Sequence, residues 1–130
     1  MTRTVHVGQP SQDMRRVYEA VRDAQQAALE MVKAGVSVGE VDRSARNVLI
    51  HKGLGKHFTH STGHGVGLEI HEAPRLAAGQ KDVLQAGMVI TIEPGAYIPG
   101  VGGVRIEDMV VVTDNGCQIL TPTAKELITI

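Results

Sequence analysis

Cysteine occurs once in this chain of 130 residues, as Cys117, and tryptophan does not occur at all. A single thiol excludes an internal disulfide. Its place beside Asn115-Gly116, where a turn is expected, reads as a small, partly buried side chain rather than a redox centre. Aromatic residues make up only 2%, as Phe58, Tyr18 and Tyr97, so the core has to rest on aliphatic side chains. Neither sign of charge is in excess, because 13 Lys+Arg stand against 14 Asp+Glu. That balance gives no basic footprint for nucleic acid and no acidic tail. No apolar run approaches the ~20 residues of a membrane span, and the opening Met1-Thr2-Arg3-Thr4-Val5-His6 lacks the apolar segment of a signal peptide. The expected chain therefore has no nucleic-acid or membrane partner and a cytoplasmic location.

What is present is a chain with 42% hydrophobic residues and 15 glycines. Its length suits one domain that buries roughly two-thirds of the surface exposed by its unfolded form. Arg3 to Val7 alternate in the manner of an edge strand running into the Gly8-Gln9-Pro10 turn. Ser11 is a good N-cap, and Val17, Val21, Ala24, Ala28 and Met31 then form one apolar stripe, predicting a helix over about 11–34 closed by Gly35. Ser37-Val38-Gly39-Glu40 has the form of a capping box, and Val41, Ala45, Val48 and Leu49 predict a second helix over about 37–52. After Gly53, glycines, histidines and β-branched residues replace the helix formers. Strands are expected at His57 to Thr59, Val66 to Ile70, Met88 to Glu93, Val104 to Thr113 and Gln118 to Leu120, with a tight turn at Asp114-Asn115-Gly116. Two helices followed by strands read as α+β.

Four of the six histidines, His57, His60, His64 and His71, fall within fifteen residues. In an extended chain His60 and His64 share a face, whereas His71 needs a bend to join them, which the glycines of Gly63-His64-Gly65-Val66-Gly67 permit. Two carboxylates sharpen the pattern. Glu93 ends the apolar alternation from Met88 to Ile92, and Glu107 sits inside Val104 to Val112. An ionised glutamate buried in an aliphatic sheet needs a cation or a full set of hydrogen bonds, and a metal ion is the simplest compensation. The plainer alternative for Glu93 is an ion pair with Arg105. Imidazole plus carboxylates is a hard set of donors that suits manganese, cobalt or zinc.

These residues carry a family resemblance. His60-Ser61-Thr62-Gly63-His64-Gly65-Val66-Gly67-Leu68-Glu69-Ile70-His71-Glu72, then Thr91-Ile92-Glu93-Pro94-Gly95, then Gly103-Val104-Arg105-Ile106-Glu107-Asp108 resemble, in order, the signature of Xaa-Pro aminopeptidases and prolidases in the pita-bread metallopeptidase family. Methionine aminopeptidases share the Gly-His-Gly core, but His60 and the Val-Arg-Ile-Glu-Asp form look like the proline-specific branch. The resemblance implies a pita-bread fold with two helices packed on a curved, mostly antiparallel sheet. It implies metal-dependent hydrolysis of the Xaa-Pro bond in proline-containing peptides. It further implies that His64, Glu93 and Glu107 are ligands of two divalent ions (Mn, Co or Zn), with Glu107 bridging. By the same resemblance, Glu93 shuttles a proton, His60 and His71 donate to the substrate carbonyl and the oxyanion, and Arg105 orients carboxylates.

The family's dinuclear site uses five protein ligands, two of them aspartates upstream of the helices. The second precedes a Thr-Arg-Thr-Val-like strand, here Thr2-Arg3-Thr4-Val5, so neither is expected within this chain. Residues 1–130 are accordingly expected to form the C-terminal part of a pita-bread catalytic domain without its N-terminal domain or the first part of the fold. They are expected to bind metal weakly or not at all, to be inactive alone, and to form a homo-oligomer through exposed apolar surface. The competing class is a non-catalytic pita-bread module that binds a peptide or protein partner. Retention of His60, His64, His71, Glu93 and Glu107 favours a hydrolytic origin, since a binding module has no need of that set.

Overall fold

A computed structural model describes all of residues 1–130. Strand β1 (Val5–His6) leads into helix α1 (Gln12–Met31), whose first turn is capped by the Ser11 hydroxyl accepting from the Met14 amide. Val17, Val21, Ala24 and Ala28 are all buried along one stripe of α1, as the spacing predicts. The helix ends three residues short of the expected boundary. Val32 turns to extended backbone there, and the Ala34 amide donates to the Thr113 carbonyl at 3.0 Å instead of to the helix. Helix α2 (Val38–His51) opens with a reciprocal capping box between Ser37 and Glu40 and buries Val38, Val41, Ala45 and Leu49 against α1 and the sheet.

Strands follow in the second half. They are β2 (Gly63–Gly65), β3 (Glu72–Leu76), β4 (Val89–Ile92), β5 (Gly95–Ile98), β6 (Gly102–Arg105), β7 (Asp108–Val112), β8 (Cys117–Ile119) and β9 (Ile128–Thr129). Five of them form an antiparallel sheet in the order β3-β2-β4-β7-β8, β5 and β6 make an antiparallel hairpin, and β1 pairs in parallel with β9. Leu76, Ile90, Ile92, Val104, Ile106 and Val110 meet the helical stripes in one aliphatic core. The architecture is the expected one of two helices on a mostly antiparallel sheet.

Several strand boundaries differ from expectation, each for a physical reason. His57 to Thr59 is not a strand, because Gly55–His57 forms a single 3-10 turn and Arg46 takes the Phe58 and His60 carbonyls at 3.1 Å each. Val66 to Ile70 is not a strand either. The Val66 amide still donates to Val89, but the chain then bends, and the Glu72 carboxylate accepts from the Glu69 amide at 2.9 Å to close the loop. The apolar residues at 68 and 70 consequently face solvent, with Leu68 fully exposed and Ile70 80% exposed. The strand in this region is β3 instead, at the sheet edge, where Pro74 costs no ladder hydrogen bond. Val104 to Thr113 breaks at Ile106-Glu107, because β6 pairs with β5 while β7 pairs with β4 and β8. Glu107 lies in the break, exchanging backbone hydrogen bonds with Thr2.

Next to that break, Asp108 ties the ends of the chain to the middle. Its fully buried carboxylate accepts from Arg3 at 2.7 Å, Gln25 at 2.9 Å, Thr121 at 3.0 Å and Lys125 at 2.7 Å. Burial pushes this carboxyl up, but the hydrogen bonds from Lys125, Arg3 and Gln25 outweigh it and hold the group below the ordinary aspartate value. Removing one member of such a cluster leaves the others buried without a counter-charge. Asp108→Ala is therefore expected to lower unfolding free energy by about 3–5 kcal/mol, read by urea denaturation. A loss under about 1 kcal/mol would show that the cluster is not a fastening point.

Candidate metal centre

Backbone geometry places each candidate ligand and brings two of them, His64 and Glu93, into contact. His64 is the middle residue of β2, Glu93 follows directly after β4, and Glu107 sits between β6 and β7. Strand β2 lies so close to β4 that a Cβ at position 63 would overlap the Thr91 carbonyl oxygen, which makes glycine the residue that fits there. The Glu93 amide donates to the Thr62 carbonyl at 2.7 Å, fastening the residue after β4 to the residue before β2.

In this arrangement His64 Nε2 lies 3.0 Å from Glu93 Oε1, with both side chains largely buried. His64 Nδ1 is 2.9 Å from the Gly65 carbonyl, which can only accept, so Nδ1 carries a proton and Nε2 is the atom turned to the carboxylate. In that neutral tautomer Nε2 presents a lone pair, and because the Glu93 carboxylate also only accepts, the 3.0 Å contact calls for a cation or a second ring proton between the two atoms. Thr91 Oγ1 accepts from the His64 amide and donates to Glu93 Oε1. Glu107 accepts from the Thr2 hydroxyl and lies 3.6 Å from the Met1 amino group. A cleft of about 530 Å³ has His64, His71, Thr91, Glu93, Glu107 and Met109 among its lining residues. The ion pair between Glu93 and Arg105 does not form.

The histidines divide into two groups. The bend at 67–71 brings the His71 ring to 4.4 Å from the His64 ring, edge-on. His60 stands apart, with Nδ1 2.8 Å from the Ser61 carbonyl and Nε2 2.9 Å from the Tyr97 hydroxyl. Arg105 donates weakly to the same hydroxyl at 3.4 Å. His57 ends the 3-10 turn and joins neither group. A second hollow of about 570 Å³ opens beside His64 and His71, lined also by Ser61, Glu72, Arg75 and Asp82. The slightly larger hollow of about 580 Å³ between α1 and the β5–β6 turn, with Asp13, Arg16, Lys52 and Val101 among its lining residues, holds none of these groups. His64 and His71 line both of the smaller hollows, and Glu93 and Glu107 line the smallest.

As donors, one imidazole and two carboxylates are right in kind for a hard divalent ion. They are short in number, since no three His, Cys, Asp or Glu side chains converge on a common point. Sequence reasoning missed three residues. Tyr97 follows Glu93-Pro94-Gly95 and fits against Gly95 and Gly103, where Cβ atoms would crowd its ring. Asp42 and Arg46, one helical turn apart on α2, form a bidentate pair at 2.9 Å in which the carboxylate is buried and the guanidinium partly exposed. Asp42 also accepts from the Thr62 amide and hydroxyl, while Arg46 holds the Phe58 and His60 carbonyls and lies 4.2 Å over the Phe58 ring. The i,i+4 acid–base spacing was the available signal for that pair.

Comparison with known proteins bears on this geometry. Residues 1–114 match the model of metallopeptidase family M24. The chain is 52% identical over 128 residues to an Xaa-Pro dipeptidase of Pyrococcus horikoshii, covering 98% of this chain and 36% of that protein. It is 48% identical over 128 residues to an uncharacterized peptidase of Bacillus subtilis, again covering 98% of this chain and 36% of the relative. Among solved structures, an Xaa-Pro dipeptidase from Bacillus anthracis superposes with a TM-score of 0.96 at 49% identity, over 98% of this chain and 36% of that one. The prolidase from Pyrococcus horikoshii OT3 gives 0.94 at 52% identity, over 97% and 36% respectively. The chain thus spans little more than a third of the length of these relatives, and within that span its fold is the pita-bread fold expected from the sequence.

The tight approach of β2 to β4 can be tested without any ligand. Gly63→Ala is expected to cost about 1–3 kcal/mol or more and to speed amide exchange along β2 and β4, because neither backbone can yield without breaking the ladder. Unchanged exchange at His64 and Ile90 would contradict this.

Proposed function

The chain belongs to metallopeptidase family M24, and on that footing we propose that it serves metal-dependent hydrolysis of the Xaa-Pro peptide bond, as in an Xaa-Pro dipeptidase or aminopeptidase. The observation that carries the reading is the pairing of His64 Nε2 with Glu93 Oε1 at 3.0 Å in a cleft that Glu107 also lines. His64, Glu93 and Glu107 would hold divalent metal, manganese, cobalt or zinc. Bound ions supply Lewis acidity toward the scissile carbonyl and the attacking water.

The remaining work falls to side chains. Glu93 takes the proton from the attacking water and delivers it to the leaving proline nitrogen. His71, exposed beside His64, is free to donate to the substrate carbonyl. His60 is held differently. Its Nδ1 faces the Ser61 carbonyl and so carries a proton, which leaves Nε2 to accept from Tyr97. Donation from His60 to an oxyanion therefore requires a second proton on the ring, at Nε2, and release of that nitrogen from the Tyr97 hydroxyl, which Arg105 also contacts.

Within residues 1–130 only two candidate ligands pair. Taken alone, the chain should bind manganese or cobalt weakly and hydrolyse proline dipeptides negligibly, with strong activity arising where further ligands are supplied. Exposed Leu68 and Ile70 beside the cleft, with Val7 and Ile130 near the β1–β9 pair, support homo-oligomer formation as part of the same proposal. Light scattering that finds only monomer at high concentration would refute that part.

Calorimetry with manganese and an assay with an Xaa-Pro dipeptide test the main reading. The expected result is weak uptake that Glu93→Gln abolishes, with little or no turnover. Tight binding of two ions by the 130-residue chain, with chelator-sensitive cleavage, would show that the ligand set is completed within it. Manganese uptake unaffected by both Glu93→Gln and His64→Ala would overturn the site.

A further inference from the structure

Thr91 stands between the two side chains that pair in the cleft. Its hydroxyl accepts from the His64 amide at 3.1 Å and donates to Glu93 Oε1 at 3.0 Å, the same oxygen that faces His64 Nε2 at 3.0 Å. An amide N–H can only donate, so the single hydroxyl proton is directed to the carboxylate. Thr91 is 2% exposed in a strand whose other members are Val89, Ile90 and Ile92. Valine would serve such a strand without a polar group to satisfy, and the threonine hydroxyl finds its partners only at His64 and Glu93.

The local geometry makes this contact stiff. Thr91 and Glu93 are two residues apart, so an extended chain turns both to one side. The branched Cβ restricts the Thr91 rotamer, and the close seating of Gly63 on the Thr91 backbone keeps β2 at hydrogen-bonding range. A glutamate has rotamer freedom to lose before its carboxylate can meet an imidazole, and a fixed donor removes much of that freedom in advance.

We propose that Thr91 is a positioning residue that sets the Glu93 rotamer and the His64 backbone together, presenting Oε1 and Nε2 to the cleft as a preformed pair. Its value for catalysis rests on the metallopeptidase reading; its effect on the pair does not. Thr91→Val removes the hydroxyl at nearly constant shape, and Thr91→Ser keeps it.

Crystal structures of the two variants decide the geometry. In Thr91→Val the Oε1–Nε2 contact is expected to be lost with β4 still paired to β2 and β7, whereas Thr91→Ser retains it. A valine chain that keeps the contact would overturn the proposal, and if that chain does not fold, Thr91→Ala carries the same two outcomes. Manganese titration followed by water-proton relaxation adds a functional reading. Affinity should fall about tenfold to a hundredfold in the valine variant and recover in the serine variant. Equal affinity in all three chains would overturn the proposed role. If the unaltered chain takes up no manganese, the metal reading of this chain fails and the crystal structures alone decide Thr91.

Discussion

The close seating of β2 on β4 is the constraint from which the candidate centre follows. Strand β2 has only three residues, two of them glycines, and it is held between β3 and β4. A side chain at position 63 would push it away from the Thr91 carbonyl and carry His64 with it. Because Thr91 and Glu93 sit on the partner strand and just past its end, the spacing between two backbones sets the spacing between an imidazole and a carboxylate. The chemistry at the cleft is in this sense a consequence of sheet packing.

Buried acid–base clusters hold that sheet in place from both sides. Asp42 and Arg46 on α2 pin the Phe58 and His60 carbonyls and the Thr62 donors of the segment entering β2. Asp108 gathers Arg3, Gln25, Thr121 and Lys125, so that the first residues, α1, β7 and the C-terminal segment meet at one carboxylate. Such clusters add little net stability relative to a well-packed apolar core. What they supply here is register, because each donor has only one geometry in which it is satisfied. No buried side-chain polar atom is left without a partner.

Much of this was legible in the sequence, for identifiable reasons. Both helices announced themselves through apolar spacing and through Ser11 and Ser37 as caps, signals that are local and need no tertiary partner. The histidine and glutamate positions were legible from their motifs, and the need for a bend before His71 followed from parity along an extended chain. Strand identity was less readable. Val66, Leu68 and Ile70 alternate as a strand would, yet the Glu72 carboxylate caps the loop and the alternation points to solvent. The apolar run through Val104 and Val110 gave no sign that its neighbours change at Ile106 and Glu107, since that change belongs to β5 and β4 rather than to the run itself. Tyr97 was hidden for a similar reason, because its partner His60 lies far away in sequence.

Paramagnetic broadening of amide resonances by substoichiometric manganese tests the central claim most directly, since it locates even a weakly held ion. His64, Glu93, Glu107 and their immediate neighbours are expected to broaden first, while α2 and the residues around Asp13 and Glu19 stay sharp. Broadening centred on that hollow beside α1, or spread evenly over the surface carboxylates, would contradict a metal centre built on His64 and Glu93.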